Sequence, residues 1–128
     1  MPDRKMRVLI VDDANLVRLY YRQILEEAGF QTAEALNGLE ALEKLLINPA
    51  DALIVDINMP QMDGITFLRA LRRQALPLSS IPALVTSTES SAGDVAAARA
   101  AGANFYHVKP IGSEVLARYM AMFCGAPQ

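Results

Sequence analysis

Two short, uninterrupted apolar runs constrain the fold of this chain more than any other feature. Residues 8–11 and 52–55 are entirely apolar, and each run is followed directly by an acid. A run this short and this apolar is typical of a strand that is buried on both faces of a parallel sheet. Asp12 and Asp13 follow the first run, and Asp56 follows the second. Because ligand sites form beyond the carboxyl ends of such strands, we expect these carboxylates to share one site.

The remainder of the chain alternates apolar runs with amphipathic stretches. The spacing predicts strands over 7–11, 31–35, 51–56, 81–86 and 104–108, and helices over 15–28, 38–47, 65–75, 92–101 and about 113–123. Gly29 and Gly102 should end the first and fourth helices, and Ser91 with Asp94 is a candidate capping box. Strands that alternate with helices predict a parallel sheet covered on both faces. The expected fold is therefore a three-layer (βα)5 α/β domain with right-handed crossovers.

Composition indicates a soluble globular chain. Its 128 residues, 52% hydrophobic and 20% charged, predict a single domain over 1–128 with a core of about 6–124 and a short tail. The net charge of −2 argues against non-specific binding of nucleic acid. No apolar run reaches the length of a membrane span, and the N-terminus lacks the apolar region of a signal peptide. The single cysteine, Cys124, cannot form an internal disulfide, which fits a reducing cytoplasm.

Two further polar residues are predicted at the same edge of the sheet. Thr86 ends the fourth strand and Lys109 follows the fifth. A carboxylate can attack a phosphoryl group and hold it as an aspartyl phosphate, whose oxygens need positive or hydrogen-bonding partners. Lys109, the Thr86 hydroxyl and a metal ion would supply those partners. The pattern therefore predicts a phosphoryl-acceptor site with Asp56 as the acceptor.

The acids also predict a site for a hard divalent cation, Mg²⁺ or alternatively Mn²⁺. Asp13 and Asp56 are the expected direct ligands, and Asp12 is expected to orient a metal-bound water. The backbone carbonyl of Asn58 is a further candidate ligand. His107 lies within the fifth predicted strand, and we interpret it as a surface or packing residue.

The segments that carry these residues resemble the receiver domains of two-component response regulators. They are Val-Asp-Asp at 11–13, Asp-Ile-Asn-Met-Pro-Gln-Met-Asp-Gly at 56–64, Val-Thr-Ser at 85–87 and Tyr-His-Val-Lys-Pro at 106–110. The resemblance covers about residues 6–124 and is greatest to single-domain regulators of the chemotaxis type. It implies a flavodoxin-like fold with strand order 2-1-3-4-5. It also implies that Asp56 receives its phosphoryl group from a histidine kinase or a phosphotransfer protein.

The resemblance further implies how the signal leaves the site. Thr86 and Tyr106 would act as switch residues, with Tyr106 turning inward as Thr86 moves toward the phosphate. The expected output face, for a protein target that the sequence does not identify, comprises helix 92–101, the fifth strand and the last helix. Helix 92–101 is rich in alanine, which favours helix but buries little area, so this helix should dock weakly. The last helix carries Met120 and Met122 at the edges of its apolar stripe, where methionine suits an adaptable partner surface.

The first predicted helix is the expected docking element for the phosphodonor protein. Its apolar stripe consists of Val17, Tyr20, Tyr21, Ile24 and Ala28. Arg18 and Leu19 are predicted to point away from that stripe and to contact the kinase or phosphotransfer partner.

Other functions fit part of the pattern. A Mg²⁺-dependent phosphatase or phosphotransferase with an Asp nucleophile commonly has a second acid two residues later, where this chain has Asn58. A flavin-binding protein would need a phosphate-cradling loop after the first strand, where Asp12 and Asp13 would repel phosphate. A receiver that has lost phosphorylation, and a receiver module from a larger regulator or hybrid kinase, are further alternatives.

Overall fold

The computed structural model of the chain describes residues 5–88 and 92–124, and within them five parallel strands alternate with five α-helices. The strands are β1 Arg7–Val11, β2 Gln31–Ala35, β3 Ala52–Asp56, β4 Ala83–Ser87 and β5 Phe105–Val108. The helices are α1 Asn15–Glu27, α2 Gly38–Ile47, α3 Gly64–Arg72, α4 Ala92–Ala101 and α5 Ser113–Cys124, with a short 3-10 helix over Leu78–Ser80. The strand order β2-β1-β3-β4-β5 confirms the expected (βα)5 architecture.

The helix and strand boundaries differ from the sequence prediction near proline and near a side-chain cap. β4 begins at Ala83 and not at 81, because Pro82 has no amide hydrogen to donate to a neighbouring strand. The carbonyl of Pro82 still accepts from the amide of Leu53. α3 begins at Gly64, where the Asp63 side chain accepts from the amide of Thr66, and ends at Arg72. Ser91 of the predicted capping box lies outside the described residues.

Two apolar clusters, one on each face of the sheet, form the core. The first cluster joins β1, β3 and β4 to α1 and α5 through residues that include Tyr21, Leu25, Ile111, Leu116 and Met120. The second joins the sheet to α2, α3 and α4 through residues that include Leu45, Phe67, Leu71 and Ala98. Because Met120 is fully buried, its predicted place at the edge of the α5 stripe is wrong. No helix in the described ranges has the length and hydropathy to cross a membrane.

The register of the sheet brings the strand ends together. Val11 pairs with Val55, and Asp56 pairs with Thr86. Alternate residues of the three central strands face the cluster beneath α1 and α5, namely Ile10, Ile54 and Leu84. Since side chains alternate along a strand, residues two positions later point to the same side. Those residues are Asp12, Asp56 and Thr86.

Candidate functional site

Three carboxylates lie together beyond the carboxyl ends of β1 and β3. One oxygen of each of Asp12, Asp13 and Asp56 lies within 4.8 Å of the others. Asp12 and Asp56 are buried, whereas Asp13 is exposed. Like charges this close need positive compensation. An all-oxygen donor set of this kind fits a hard divalent cation.

Lys109 brings a positive charge into the cluster. Its Nζ lies 2.9 Å from Asp12 Oδ2 and 3.3 Å from Asp56 Oδ1. Burial alone would lower the pKa of Lys109, but the hydrogen bond to Asp12 and the charges of both carboxylates outweigh burial and raise it. The backbone amide of Lys109 donates to the Ser87 carbonyl at 2.8 Å. The lysine is therefore held beside the end of β4 as a protonated donor.

The environment of Asp56 disfavours its negative charge. Burial is the main cause that raises the pKa of the Asp56 carboxyl, and the charge of Asp12 adds to it. Lys109 and the backbone amide of Asn58 donate to this carboxylate and oppose the shift. The loop that carries Asn58 therefore lies against the site. A further cation at the cluster would favour the ionised carboxylate, which is the nucleophilic form.

Both carboxylate oxygens of Asp12 accept hydrogen bonds. Oδ1 accepts from the amide of Ala14 at 2.9 Å, and Oδ2 accepts from Lys109. Its backbone carbonyl accepts from Arg18 Nη1 at 2.7 Å. These three contacts fix the first acid of the cluster relative to α1 and to the β5–α5 loop.

Contrary to the prediction, Arg18 does not project into solvent. The residue is 7% exposed, and its Nε donates to Glu34 Oε1 at 2.8 Å while Nη2 lies 3.1 Å from Asn15 Oδ1. The prediction that Arg18 points away from the packed side of α1 is wrong, because a long side chain at the border of a stripe can lie along the protein surface and place its charged end against β2. Leu19 is 43% exposed, so its predicted orientation is confirmed.

The other predicted site residues lie on β4 and β5. Thr86 is fully buried beside Asp56, and its hydroxyl donates to the Val55 carbonyl oxygen at 3.5 Å. Tyr106 is half-buried and packs against the apolar cluster on the side of α2, α3 and α4. His107 packs edge-on against the ring of Tyr119, with ring centroids 5.9 Å apart.

Tyr21 belongs to the site, although helical spacing assigns it only to the apolar stripe of α1. The residue is 2% exposed, and together with Lys109 it lines a cavity of about 280 Å³. Burial is the main cause that raises the pKa of Tyr21 to about 12, and Lys109 opposes this rise. One signal for this role is present in the sequence. Tyr21 is a tyrosine on a helix face predicted to be buried, and a buried tyrosine hydroxyl usually has a polar partner.

The sequence of the chain matches one family over nearly its whole length. A sequence model described as response regulator receiver domain matches residues 8–121. The transcriptional regulatory protein PrrA of Mycobacterium tuberculosis is 40% identical over 117 residues, and PrrA of Mycobacterium leprae is 38% identical over 117 residues. Each match covers 91% of this chain and 49% of the relative. The chain therefore spans about half the length of the curated relatives it matches.

The fold of the chain also matches those of solved structures. The chemotaxis response regulator CheY4 of Vibrio cholerae is 33% identical with a TM-score of 0.87, and the match covers 94% of this chain and 99% of that chain. The receiver domain of a signal transduction histidine kinase from Syntrophus aciditrophicus is 32% identical with a TM-score of 0.87, covering 96% and 92%. Members of this family are phosphorelay signalling modules that interact with histidine kinases and output targets. The chain belongs to the receiver domains of two-component response regulators.

Proposed function

We propose that this receiver domain is a phosphorylation-dependent switch in which Asp56 accepts the phosphoryl group. The observation that carries the proposal is the convergence of Asp56 with Lys109 and two further acids, Asp12 and Asp13, at one edge of the sheet. An oxygen of Asp56 attacks phosphorus, and the bond from phosphorus to the donor breaks with its electron pair leaving on the donor. The donor is a histidine kinase or a phosphotransfer protein, which presents phosphohistidine.

The residues around Asp56 compensate the charge that arrives with the phosphoryl group. Lys109, which is bonded to Asp12 and Asp56, neutralises one oxygen of the transferred group. The Thr86 hydroxyl, buried in register with Asp56, donates to another. Asp12, Asp13, Asp56 and the backbone carbonyl of Asn58 are the groups proposed to hold Mg²⁺, or alternatively Mn²⁺. When bound, the ion supplies further positive charge for the transferred group.

Intact-protein mass spectrometry after treatment with acetyl phosphate and Mg²⁺ tests the proposal. The wild-type chain should gain the mass of one phosphoryl group, and Asp56→Asn should gain none. Asp51→Asn is the matched control, because Asp51 precedes the same strand at its opposite end and asparagine retains an oxygen to accept from the amide of Arg7. It should be labelled like the wild type. Labelling of Asp56→Asn at the wild-type rate would contradict the proposal, and catalytic release of phosphate over many turnovers would favour a phosphatase.

We propose that the face formed by α4, β5 and α5 carries the output. β5 is an edge strand, and large apolar side chains stand exposed on it and on the adjoining helix, namely Phe105, Val108, Val115 and Met122. Phe105 stacks on Phe123 with ring centroids 5.8 Å apart and borders a cavity of about 310 Å³. An exposed apolar patch of this kind suits a protein partner. Movement of Thr86 and Tyr106 is the proposed link between this face and the phosphoryl group.

The outward side of α1 is the proposed contact for the phosphodonor protein. Leu16 and Leu19 are exposed there, and Arg18 is withdrawn from this contact because its guanidinium is buried. Leu19→Ala should slow transfer from a histidine kinase that phosphorylates the wild-type chain, and should leave labelling by acetyl phosphate unchanged. Leu46→Ala on α2, which removes the same type of side chain at another exposed position, is the control. Equal slowing in both variants, or with both donors, would reject this docking site.

A further inference from the structure

We infer that Arg18 is a positioning residue for the cation site, and that it holds the acid turn, residues 12–14, in the conformation that binds Mg²⁺. The inference rests on the proposed function, because it concerns the ion that the three acids are proposed to hold. Arg18 is itself a cation and does not ligate a metal. Its role is to act through the backbone of the two acids that follow β1.

The acid turn begins where β1 ends. The amide of Asp12 still donates to the carbonyl of Ala35, the last residue of β2, at 3.1 Å. The carbonyl of Asp12 accepts from Arg18 Nη1 at 2.7 Å. A side-chain donor from α1 therefore holds the backbone at the point where the chain leaves the sheet.

The bond to Arg18 also constrains the second acid. The carbonyl of Asp12 and the amide of Asp13 belong to one planar peptide unit. Holding that carbonyl therefore fixes the direction in which the chain enters Asp13, whose side chain is exposed. One oxygen of each of these acids and one of Asp56 lie within 4.8 Å of one another. Rotation of this peptide unit would separate the carboxylates that are proposed to share the ion.

The sheet anchors Arg18 at its other end. Arg18 Nε donates to Glu34 Oε1 at 2.8 Å, and Glu34 is paired in register with Ile10 within the sheet. The carbonyl of Glu34 accepts in turn from Lys44 of α2. Because the guanidinium is planar and Arg18 is buried, the two hydrogen bonds form a rigid bridge from β2 to the acid turn.

Charge alone predicts the opposite effect from positioning. Arg18 is a cation near a proposed cation site, so its removal would strengthen Mg²⁺ binding if Coulomb repulsion were the only contribution. Loss of the bridge would weaken binding, because ordering of the turn would then oppose binding of the ion. The direction of the change therefore distinguishes the two effects.

Replacement of Arg18 by methionine tests the inference, because methionine keeps an unbranched apolar stem and removes the donors. Isothermal titration calorimetry measures Mg²⁺ binding without a phosphodonor. Arg18→Met should raise the dissociation constant about tenfold, the lower end of the range for loss of a group that orients metal ligands. Arg22→Met is the matched control, because Arg22 also pairs with Glu34, at 3.4 Å, but its side chain is 49% exposed. It should bind Mg²⁺ like the wild type.

Arg72→Met controls for a general loss of stability. Arg72 donates to the carbonyls of Gly102 and Ile81 at 2.7 and 2.6 Å, so it is also an arginine that holds backbone carbonyls. Those carbonyls precede β4 and β5, at the edge of the sheet opposite the acids. Arg72→Met should lower the free energy of unfolding in urea and leave the dissociation constant for Mg²⁺ unchanged.

A double-mutant cycle with Glu34→Ala tests the bridge itself. Glu34→Ala should weaken Mg²⁺ binding in the wild-type background and have no effect in the Arg18→Met background. Labelling by acetyl phosphate gives a second measurement. In Arg18→Met the Mg²⁺ concentration for half-maximal labelling rate should rise with the dissociation constant, while the rate at saturating Mg²⁺ stays near that of the wild type.

Unchanged or tighter Mg²⁺ binding by Arg18→Met, or equal weakening in Arg72→Met, would overturn the inference. Absence of Mg²⁺ binding by the wild type would overturn it as well. If the variants showed the expected pattern of Mg²⁺ binding but the wild type were not labelled, the inference would stand and the proposed function would be rejected.

Discussion

Gly64 lies where a side chain has no room. A Cβ at this position would come within 2.4 Å of the backbone oxygen of Asp56 and 3.0 Å of the Cα of Ile57. The Gly64 amide also donates to the Ile57 carbonyl at 2.9 Å, so the two backbones are held at this distance. We expect Gly64→Ala to lower the free energy of unfolding by about 2–3 kcal/mol, as overpacking of a rigid contact does. It should also slow labelling by acetyl phosphate, because the clash displaces Asp56. Urea unfolding and mass spectrometry measure the two effects.

Gly112→Ala is the control for this substitution. A Cβ at position 112 meets no atom within 4 Å, although this glycine also lies near the site, three residues after Lys109. Its effect on the free energy of unfolding should stay within about 0.5 kcal/mol. If both alanine variants lose the same stability, the close contact at Gly64 is not the cause.

Arg18 links the acid cluster to the edge of the sheet. Its guanidinium bridges the Asp12 carbonyl and the carboxylate of Glu34, and its side chain is 9% exposed. Arg18→Ala leaves a buried carbonyl and a partly buried carboxylate without this donor, so we expect a loss of about 2 kcal/mol in the free energy of unfolding. Arg22→Ala removes an arginine that also pairs with Glu34 but is 49% exposed, and it should cost less than about 1 kcal/mol. Equal losses in urea unfolding would show that burial is not what makes Arg18 important.

Residue types at strand ends were predictable from the sequence, whereas the reach of the Arg18 side chain on α1 was not. Asp12, Asp56 and Thr86 follow apolar runs, and the two-residue period of a strand fixes the side to which they point. Helical spacing orders residues around an axis but does not say how far a long side chain reaches. For that reason Arg18 was predicted as a surface residue, and Tyr21 was not predicted as part of the site.

Helix α4 is attached to the protein by little buried surface. Among its described side chains, Ala98 and Ala101 are buried, whereas α5 buries Leu116 and Met120. Because alanine offers little apolar area, α4 should open locally at a lower free energy than α5. We expect its amide hydrogens to exchange at least about tenfold faster, as a difference of about 1.4 kcal/mol in opening free energy requires. Hydrogen exchange followed by mass spectrometry compares the two helices, and equal protection would contradict weak docking of α4.

The extent of α5 was predicted, but the burial of Met120 on it was not. The apolar stripe of this helix is wider than one buried face needs, so the spacing alone does not determine which of its residues meet the sheet. The structure buries Leu116 and Met120 and leaves Val115 and Met122 exposed beside Phe105. The buried side chains of α5 share one apolar cluster with those of α1 on the same face of the sheet. That information is tertiary and has no local signature in the sequence.

At the scale of the whole molecule, alternation of strands and helices predicted the parallel sheet but not its order. The central position of β1, β3 and β4 agrees with their continuous apolar sequences, and β2 and β5 lie at the edges. Apolar content separates central strands from edge strands, because central strands are covered on both faces. It does not distinguish among the orders that remain, and the order 2-1-3-4-5 came from the resemblance to receiver domains.

The acid cluster couples the site to the stability of the whole domain. Lys109 offers one positive charge to three carboxylates, so the cluster keeps a negative excess when no divalent cation is bound. Burial is the first cause that raises the pKa of Asp56, and the charge of Asp12 is the second. The folded state binds the proton of Asp56 more tightly than the unfolded chain does, so the ionised carboxylate lowers stability at neutral pH. Asp56→Asn, without Mg²⁺, should therefore raise the melting temperature by on the order of a few degrees.

Mg²⁺ should reverse much of this difference, because an ion that binds the folded state alone stabilises it by mass action. At a concentration about 100 times its dissociation constant, the gain is about 2.7 kcal/mol, which raises the melting temperature of a domain of this size by several degrees. Asp56→Asn lacks one carboxylate ligand and should gain less, whereas Asp51→Asn, which lies outside the cluster, should respond like the wild type. Thermal unfolding with Mg²⁺, with a chelator, and with Na⁺ at matched ionic strength separates binding from screening. If Na⁺ stabilised the wild-type chain as much as Mg²⁺ does, or if Asp56→Asn gained the full increase, the three acids would not form the cation site.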